Sequence, residues 1–229
     1  MDLNSAITLT KLTAVLGAVG ALGTAAFGLV DTFKVLPGGG ISRAGLKFIR
    51  RAVVNLLPAV PSLDKTGLGR DAVLQTLQSQ WINGTATADQ VNIAKSLIKL
   101  RLTPETAPAL ASATGVDAAI LTEVAECIRT GKNFSQAQSD VYGRFDLLLT
   151  TLLDQAYQRG DQRYRNVAKF TAVPVAVALA LAAACVVPNH ISYRQAILIG
   201  LIATPIAPMA KDVSTALSTA AQAIQTWKK

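Results

Sequence analysis

Residues 147–170 of the chain read LLLTTLLDQAYQRGDQRYRNVAKF, and residues 171–188 continue as TAVPVAVALALAAACVVP. The first segment is charged and has apolar residues at helical spacing, whereas the second contains no charged residue. After the turn NHISYR, the chain returns as the apolar segment QAILIGLIATPIAPMA at 195–210. This order is typical of a helix that leaves a soluble region and enters a transmembrane hairpin. The stretch therefore predicts an all-α integral membrane protein.

The overall composition agrees with this class. Hydrophobic residues make up 51% of the chain but aromatic residues only 5%, as in membrane helices that pack through small side chains. The formal net charge is +8. In a membrane protein such an excess favours anionic lipid over nucleic acid as the partner. Because no basic run is interleaved with stacking aromatics, we expect anionic lipid on the inner side of a bilayer and no nucleic acid.

An N-terminal anchor is predicted within residues 1–36, because the segment 12–30 is uncharged and long enough to cross a bilayer. The alternative is a signal peptide, whose positive charge should precede the apolar segment. Here the basic residues follow it, which favours an uncleaved span with its N-terminus outside. Two rows of small residues would let another helix approach closely, although Gly and Ala are also common in membrane helices. The rows are Gly17, Ala21 and Ala25, and Gly20, Thr24 and Gly28.

Residues 37–61 begin with a Pro-Gly break and continue as the amphipathic sequence ISRAGLKFIRRAVVNLL. Its apolar residues recur at helical spacing, and its basic residues fall largely on the other side. We expect an interfacial helix that lies among lipid headgroups, the alternative being an ordinary domain helix with a solvated basic face. The apolar stripe is Leu46, Ile49, Val53 and Leu57, and the candidate headgroup contacts are Arg43, Lys47, Arg50 and Arg51.

Residues 62–133 predict a small helical cytoplasmic domain. Helices are expected over 71–82, 88–102 and 116–130, with Thr103-Pro104 as the cap of a short helix between the last two. Such a region buries a thin core alone, so we expect it to pack on the basic helix, the long helix or another subunit. Its expected buried residues are Val91, Ala94, Ile98, Ala119, Leu121, Val124 and Ile128, with Lys95 and Lys99 exposed.

Residues 134–169 predict one long charged helix. Its apolar stripe is Phe145, Leu149, Leu152, Leu153 and Ala156. Tyr157 and Tyr164 share a face, which fits either a headgroup-level anchor or a packing contact. Basic residues gather just before Phe170 and place this end of the second span inside. They are Arg159, Arg163, Arg165 and Lys169.

The segment 152–170 resembles the stretch before the paired C-terminal spans in a widespread group of uncharacterised bacterial inner-membrane proteins. The matching residues are Asp154, Arg159, Tyr164 and Arg165, and the departures are Leu153, Tyr157, Gly160 and Asp161. The resemblance covers about a tenth of the chain. It implies a location in the bacterial inner (cytoplasmic) membrane and a topology, but it transfers no activity and no functional residue.

The hairpin is predicted over residues 170–210, with spans at 170–187 and 191–210, and residues 211–229 predict a C-terminal interfacial helix. Pro174 lies in the expected first turn of its span, where proline costs no helix hydrogen bond. Pro205 and Pro208 would free carbonyls at membrane depth, which indicates a kinked gate or pore, or else a frayed helix end. The prediction is thus three spans, with the N-terminus outside and the domain and C-terminus in the cytoplasm.

No catalytic, metal or nucleotide motif is evident in the sequence. His190 has no nucleophile or carboxylate nearby, and Cys127 and Cys185 have no neighbouring metal ligands. No span carries a mid-depth acid or base, which proton relays need. We therefore expect a protein that is not an enzyme and that uses no cofactor or metal.

Two functions fit these observations. The first is a membrane-anchored structural or assembly subunit that binds partner membrane proteins or itself. The second is a pore-forming or gated effector whose cytoplasmic domain senses a signal. A pore should show polar residues along one face of a span, and Thr24 and Thr204 are almost all there is, so the sequence favours the subunit. If the domain binds an anionic signal, the available cations lie at 43–51 and 159–165.

Overall fold

A computed structural model of the chain describes residues 3–33, 40–65, 67–186 and 192–208. None of these residues forms a strand, so the all-α prediction is confirmed. A 3₁₀ turn, Gly40–Ser42, leads into the second helix. The helices are α1 (Leu3–Thr32), α2 (Arg43–Asn55), α3 (Pro61–Asp64), α4 (Arg70–Ile82), α5 (Thr87–Leu100), α6 (Ala107–Thr114), α7 (Ala118–Thr130), α8 (Gln136–Val186) and α9 (193–208).

Two of these helices, α1 and α8, are long and apolar enough to cross a membrane. The third predicted span is helical over residues 193–208, and its two ends lie outside the described residues. The same holds for His190, for most of the break at 37–40 and for the predicted tail helix at 211–229.

The chain divides into two compact units, one formed by residues 1–36 with 165–229 and the other by residues 37–164. We call the first the apolar unit and the second the polar unit. Helix α8 is continuous and contributes to both, so the predicted long helix and the second span are one element.

The core of the polar unit is built on α2 and α8, as predicted for a domain too small to stand alone. Apolar side chains from α4, α5, α6 and α7 join the same cluster. The fully buried contributions from the two framing helices are Ile49, Val53 and Leu57 next to or on α2, and Phe145, Leu149, Leu153 and Tyr157 on α8.

Helix α2 therefore uses its apolar stripe inside the polar unit. Ile49 and Val53 are 1% and 0% exposed, which leaves this stripe no surface for insertion among lipid headgroups. Burial favours the alternative of an ordinary domain helix over the predicted interfacial one. The basic face of α2 stays exposed, as does part of Phe48.

The connecting helices follow their predicted pattern with two corrections. Helix α4 ends at Ile82, as predicted, with Asn83 as its C-cap, and Gly84 adopts a positive φ of 71°. Helix α6 begins at Ala107, not at Pro104, because the Thr106 hydroxyl donates to the carbonyl of Arg101 at 2.6 Å and holds the preceding turn together. On α7 the buried face is Leu121, Val124 and Ala125, whereas Ala119 and Ile128 are exposed.

The loop between α2 and α4 is held by a buried arginine. Arg101 is 0% exposed, and its guanidinium donates to the carbonyl oxygens of Leu68 and of Pro58, the latter at 2.6 Å. Asp64 lies 3.8 Å from the same group and is partly exposed. Burial lowers the pKa of Arg101, and the neighbouring Asp64 carboxylate opposes that shift. The side chain thus ties three points of one loop to the end of α5.

Helices α2 and α8 approach each other at a pair of glycines. A Cβ on Gly45 would lie 2.5 Å from the carbonyl oxygen of Gly160 and 2.6 Å from a ring carbon of Trp81. Any side chain at Gly45 would therefore push the two backbones apart. The indole nitrogen of Trp81 also donates to the carbonyl of Ser42 at 3.0 Å, which fixes the beginning of α2.

The apolar unit packs small side chains inward and leaves large ones outside. Buried residues of α1, α8 and α9 are mainly alanines, which on α8 recur every four residues. They include Ala26, Ala172, Ala176, Ala180, Ala184, Ala196 and Ala203. Large apolar residues face outward instead, namely Leu12, Val15, Leu29, Phe33, Phe170, Val186, Ile197, Leu198, Leu201 and Ile202.

Close approach on α1 depends on a glycine outside the two predicted rows. A Cβ on Gly23 would lie 2.3 Å from the carbonyl oxygen of Ala203, whereas Gly17 and Gly28 have open space around them. Of the remaining row residues, Gly20 is buried, and Ala21, Thr24 and Ala25 are exposed. The close approach of α1 therefore uses a glycine that neither predicted row contains.

Candidate functional sites

A basic cleft in the polar unit gathers residues from both predicted clusters of cations. The cleft has a volume of about 410 Å³ and lies among α2, α6 and α8. Its lining includes the apolar side chains of Phe48, Leu56 and Leu152, which we call its apolar floor, and the exposed cations Arg51 and Arg159. Sequence reasoning named both arginines, but only the structure brings them to one cavity.

The other predicted cations are distributed differently. Arg50 lines a separate, smaller cavity of about 210 Å³ next to Asp71. Arg43, Lys47 and Arg163 are exposed and line neither cavity. The cleft is therefore the part of the polar unit where an anionic group with an apolar neighbour would find both complementary charge and complementary surface.

A network of charges joins α5 to α8. The Nζ atoms of Lys95 and Lys99 lie 3.4 Å and 2.9 Å from the two carboxylate oxygens of Asp146, and Lys99 also lies over the ring of Tyr142. Desolvation alone would raise the pKa of Asp146, but the hydrogen bond from Lys99 and the two positive charges outweigh it and lower that pKa. Both lysines were expected to be simply exposed and are instead structural.

Tyr157 and Tyr164 belong to a packing cluster. Tyr157 is 0% exposed, its ring centroid lies 6.4 Å from that of Trp81, and the Tyr164 ring meets Trp81 edge-on at 6.3 Å. Burial raises the pKa of the Tyr157 hydroxyl, which has no hydrogen-bond partner among the described residues. Of the two interpretations of this tyrosine pair, the contacts favour packing.

A groove of about 510 Å³ lies among α1, α8 and α9 of the apolar unit. Phe27, Val173 and Pro208 contribute apolar walls, and Lys169 is the charged member of its described lining. The remaining lining residues are Phe170, Leu201, Thr204 and Pro205. The groove thus collects two of the three prolines that the sequence singled out.

Each of the three prolines deprives one residue of this groove of its helical hydrogen bond. Because proline has no N–H, Pro174, Pro205 and Pro208 cannot donate to the carbonyls four residues earlier, which belong to Phe170, Leu201 and Thr204. Pro174 lies deep inside α8, so the expectation that it costs no helix hydrogen bond is wrong. The helix begins far upstream, at Gln136, and the predicted first turn does not exist.

Thr204 adds a further unsatisfied group. Its side chain is 4% exposed, and its hydroxyl has no hydrogen-bond partner in the part of the chain that the structure describes. Two other threonines of this unit behave as threonines usually do in helices. Thr24 and Thr171 donate to the carbonyls of Gly20 and Val167 at 2.9 Å and 2.8 Å.

Sequence reasoning missed several residues that organise these features. Gly23, Gly45 and Gly200 permit close helix approach, and a Cβ on Gly200 would lie 2.5 Å from the Cα of Val177. The sequence feature that could have identified them is a glycine inside a helical pattern. Such a glycine destabilises a helix, so it often marks a point where another backbone packs closely. Arg101 was hidden because a charged residue at the end of an amphipathic helix is ordinarily solvated.

Metal chemistry and a disulfide have no basis in the described part of the chain. No group of three His, Cys, Asp or Glu side chains lies close enough there to hold a metal ion. Cys127 and Cys185 are both free thiols.

Comparisons with family models, with curated proteins and with solved structures give no match to this chain. The resemblance to the bacterial inner-membrane group therefore stays a prediction, and the function has to be inferred from the geometry itself.

Proposed function

We propose that this protein is integral to a membrane and that α1, α8 and α9 of the apolar unit cross the bilayer. The observation that supports this proposal is the burial pattern of that unit, in which alanines pack inward and Leu, Ile and Phe side chains face outward. Only 28% of the apolar window of α1 and 22% of that of α8 are buried, whereas the core helix of a soluble protein is mostly buried.

The energetics of the exposed residues support the same proposal. Transfer of one Leu, Ile or Phe side chain from water to an apolar environment is favourable by about 1.5–3 kcal/mol. Leu12, Leu29, Phe170, Leu198 and Ile202 are between 43% and 83% exposed, so these five alone would leave about 4–9 kcal/mol unrealised in water, which is within the range of the whole stability of a domain. A bilayer recovers this energy, while the small inner residues supply van der Waals contact between helices.

We further propose that the polar unit lies on the cytoplasmic side. Exposed cations adjoin the apolar unit in sequence on α2 and on α8 just before Phe170, and such residues are retained in the cytoplasm during insertion. Arg163, Arg165 and Lys169 are the exposed cations of α8 that lie closest in sequence to that point.

Within the membrane, we propose the role of a non-enzymatic structural or assembly subunit. The cleft between Arg51 and Arg159 is the surface that an acidic partner would contact, because it combines an apolar floor with two cations. The alternative, a pore, would need polar side chains along an outward face of the spans. Among the described threonines of α1 and α9, the Thr24 hydroxyl is bonded to its own helix and Thr204 is buried.

Membrane integration is tested by labelling two matched cysteines with a membrane-impermeant maleimide in proteoliposomes. Leu147 and Leu198 are both exposed leucines, at 69% and 60%, but they lie in the polar and the apolar unit respectively. In a background lacking Cys127 and Cys185, we expect Leu147→Cys to react in opened vesicles and Leu198→Cys to react only after detergent disrupts the bilayer. If both cysteines react equally in opened vesicles before detergent is added, the proposal is refuted.

The subunit role is tested by the mass of the protein extracted directly into lipid nanodiscs at native abundance. Association with other proteins at a fixed ratio supports an assembly subunit. A closed ring of this chain alone would favour the pore instead, and conductance would then be measured. A lone monomer would contradict both.

A further inference from the structure

The groove of the apolar unit is lined by residues at which the usual helical hydrogen bonds cannot form. Thr204 contributes a buried hydroxyl with no partner among the described residues, and the carbonyls of Phe170, Leu201 and Thr204 face prolines where N–H donors should be. In a hydrocarbon environment each such group is costly, so backbone of this kind occurs where it contacts protein, water or a ligand. The groove therefore needs a source of hydrogen-bond donors.

Lys169 also lines the groove, and it requires a hydrogen-bond acceptor instead of a donor. Its ammonium group has donors and no acceptor, and Lys169 precedes Phe170, where the apolar part of α8 begins. A cation bound by the free carbonyls would be repelled by this lysine. A ligand that satisfies both features carries an anionic group for Lys169 and N–H or O–H groups for the carbonyls and Thr204.

The walls of the groove specify the rest of the ligand. Phe27, Val173 and Leu201 are apolar, and the volume of about 510 Å³ exceeds what a phosphate ion fills. We propose that this groove binds one phospholipid whose phosphate pairs with Lys169 and whose headgroup donates hydrogen bonds through neutral hydroxyl groups, as a glycerol headgroup can. Its acyl chains would lie along the apolar walls. The proposal rests on the proposed membrane placement of the apolar unit.

The proposal is tested by comparing the affinities of the protein for two anionic lipids that differ in their headgroup donors. The delipidated full-length protein in a neutral detergent is titrated with phosphatidylglycerol or with phosphatidylmethanol of the same acyl chains, and bound lipid is counted by native mass spectrometry. Both lipids carry one negative charge, but the methyl headgroup has no donor. We expect wild-type protein to bind phosphatidylglycerol about fivefold to tenfold more tightly, as one or two extra hydrogen bonds allow.

Two variants separate the hydroxyl from the charge, each with a matched control. Thr204→Val keeps the shape of the side chain and should reduce the preference for phosphatidylglycerol to about twofold or less, because it removes the unpaired hydroxyl. Thr171→Val should leave the preference unchanged, since the Thr171 hydroxyl is already bonded to Val167. Lys169→Gln should weaken both lipids about tenfold without changing their ratio, whereas Arg163→Gln, outside the groove, should change neither.

A third variant addresses the carbonyls. Pro205→Ala restores an N–H that can satisfy the carbonyl of Leu201, so it should also lower the preference for phosphatidylglycerol. Water-soluble glycerol phosphate is the remaining probe, and we expect it not to compete at concentrations that saturate lipid binding, because it lacks the acyl chains.

The outcomes distinguish this proposal from the one on which it rests. Equal affinity of wild-type protein for the two lipids, or an unchanged preference in Thr204→Val, would overturn the headgroup site. If Leu198→Cys is nevertheless protected in bilayers, the membrane placement stands and only the lipid site fails. Competition by glycerol phosphate would reassign the groove to a soluble phosphate.

Discussion

Replacement of Arg101 by methionine should destabilise the polar unit more than any change at its surface. The guanidinium is completely buried and donates to the carbonyls of Leu68 and Pro58. Hydrogen bonds to a charged group contribute about 1.5–3 kcal/mol each, so the loss of two corresponds to about 3–6 kcal/mol. Methionine fills a similar volume and avoids the cost of burying a charge, which places the expected loss nearer the lower value.

Urea unfolding of the nanodisc-bound protein, followed by tryptophan fluorescence, measures this loss. The chain has two tryptophans, and a Trp227→Phe background leaves Trp81, in the core of the polar unit, as the reporter. With a denaturant slope of about 2 kcal/mol per molar, a loss near 3 kcal/mol should lower the midpoint by about 1.5 M. Arg129→Met is the control, because Arg129 is 64% exposed and pairs only with its helix neighbour Glu126, so its midpoint should not move.

A lysine at position 101 should give a stability between those of the wild type and Arg101→Met. Arg101→Lys keeps the charge, but its single ammonium nitrogen lacks the planar set of N–H donors with which the guanidinium group reaches both carbonyls. It should therefore recover only part of the lost stability. A midpoint for Arg101→Met within 0.3 M of the wild type, a margin of about 0.6 kcal/mol, would show that the loop between α2 and α4 does not depend on this side chain.

Three further perturbations follow from the contacts described above. Gly45→Ala should lower the stability of the polar unit by about 1–3 kcal/mol, because its Cβ would lie 2.5 Å from a carbonyl oxygen, whereas Gly143→Ala, with open space, should be neutral or stabilising in the same urea assay. The pKa of Asp146 is lowered in the folded state, so its carboxylate contributes fully to the free energy of unfolding above its unfolded pKa of about 3.9. That contribution is lost as the pH falls through the folded pKa. In a curve of stability against pH, Asp146→Asn should remove this acid-dependent part. Gly23→Ala should lower the thermal unfolding temperature of the nanodisc-bound protein and Gly17→Ala should not, because only the Gly23 position lies against the Ala203 carbonyl. Equal temperatures for these two variants would show that the packing of α1 on α9 is not close enough to exclude a methyl group.

Much of this protein is determined by local sequence. Apolar periodicity and uncharged length are properties of the chain alone, so the helical class, two of the apolar helices and the buried stripe Phe145–Leu149–Leu153 were predictable. Turn signals such as Asn83-Gly84 and Thr114-Gly115 also act locally, because a glycine with positive φ ends a helix whatever surrounds it.

Tertiary structure decided which of several equivalent residues make contact. Gly17, Gly23 and Gly28 all lie inside the same helical pattern, but of these three only Gly23 lies against another backbone, because the rotation of α1 depends on where α9 lies. In the same way, the amphipathic α2 could have faced lipid or core, and the partner surface on α4 and α8 decided for the core. Arg51 and Arg159 line one cleft, and Lys169 lines one groove with three residues that lie four positions before a proline. Both arrangements depend on how separate helices pack, which local propensity does not specify.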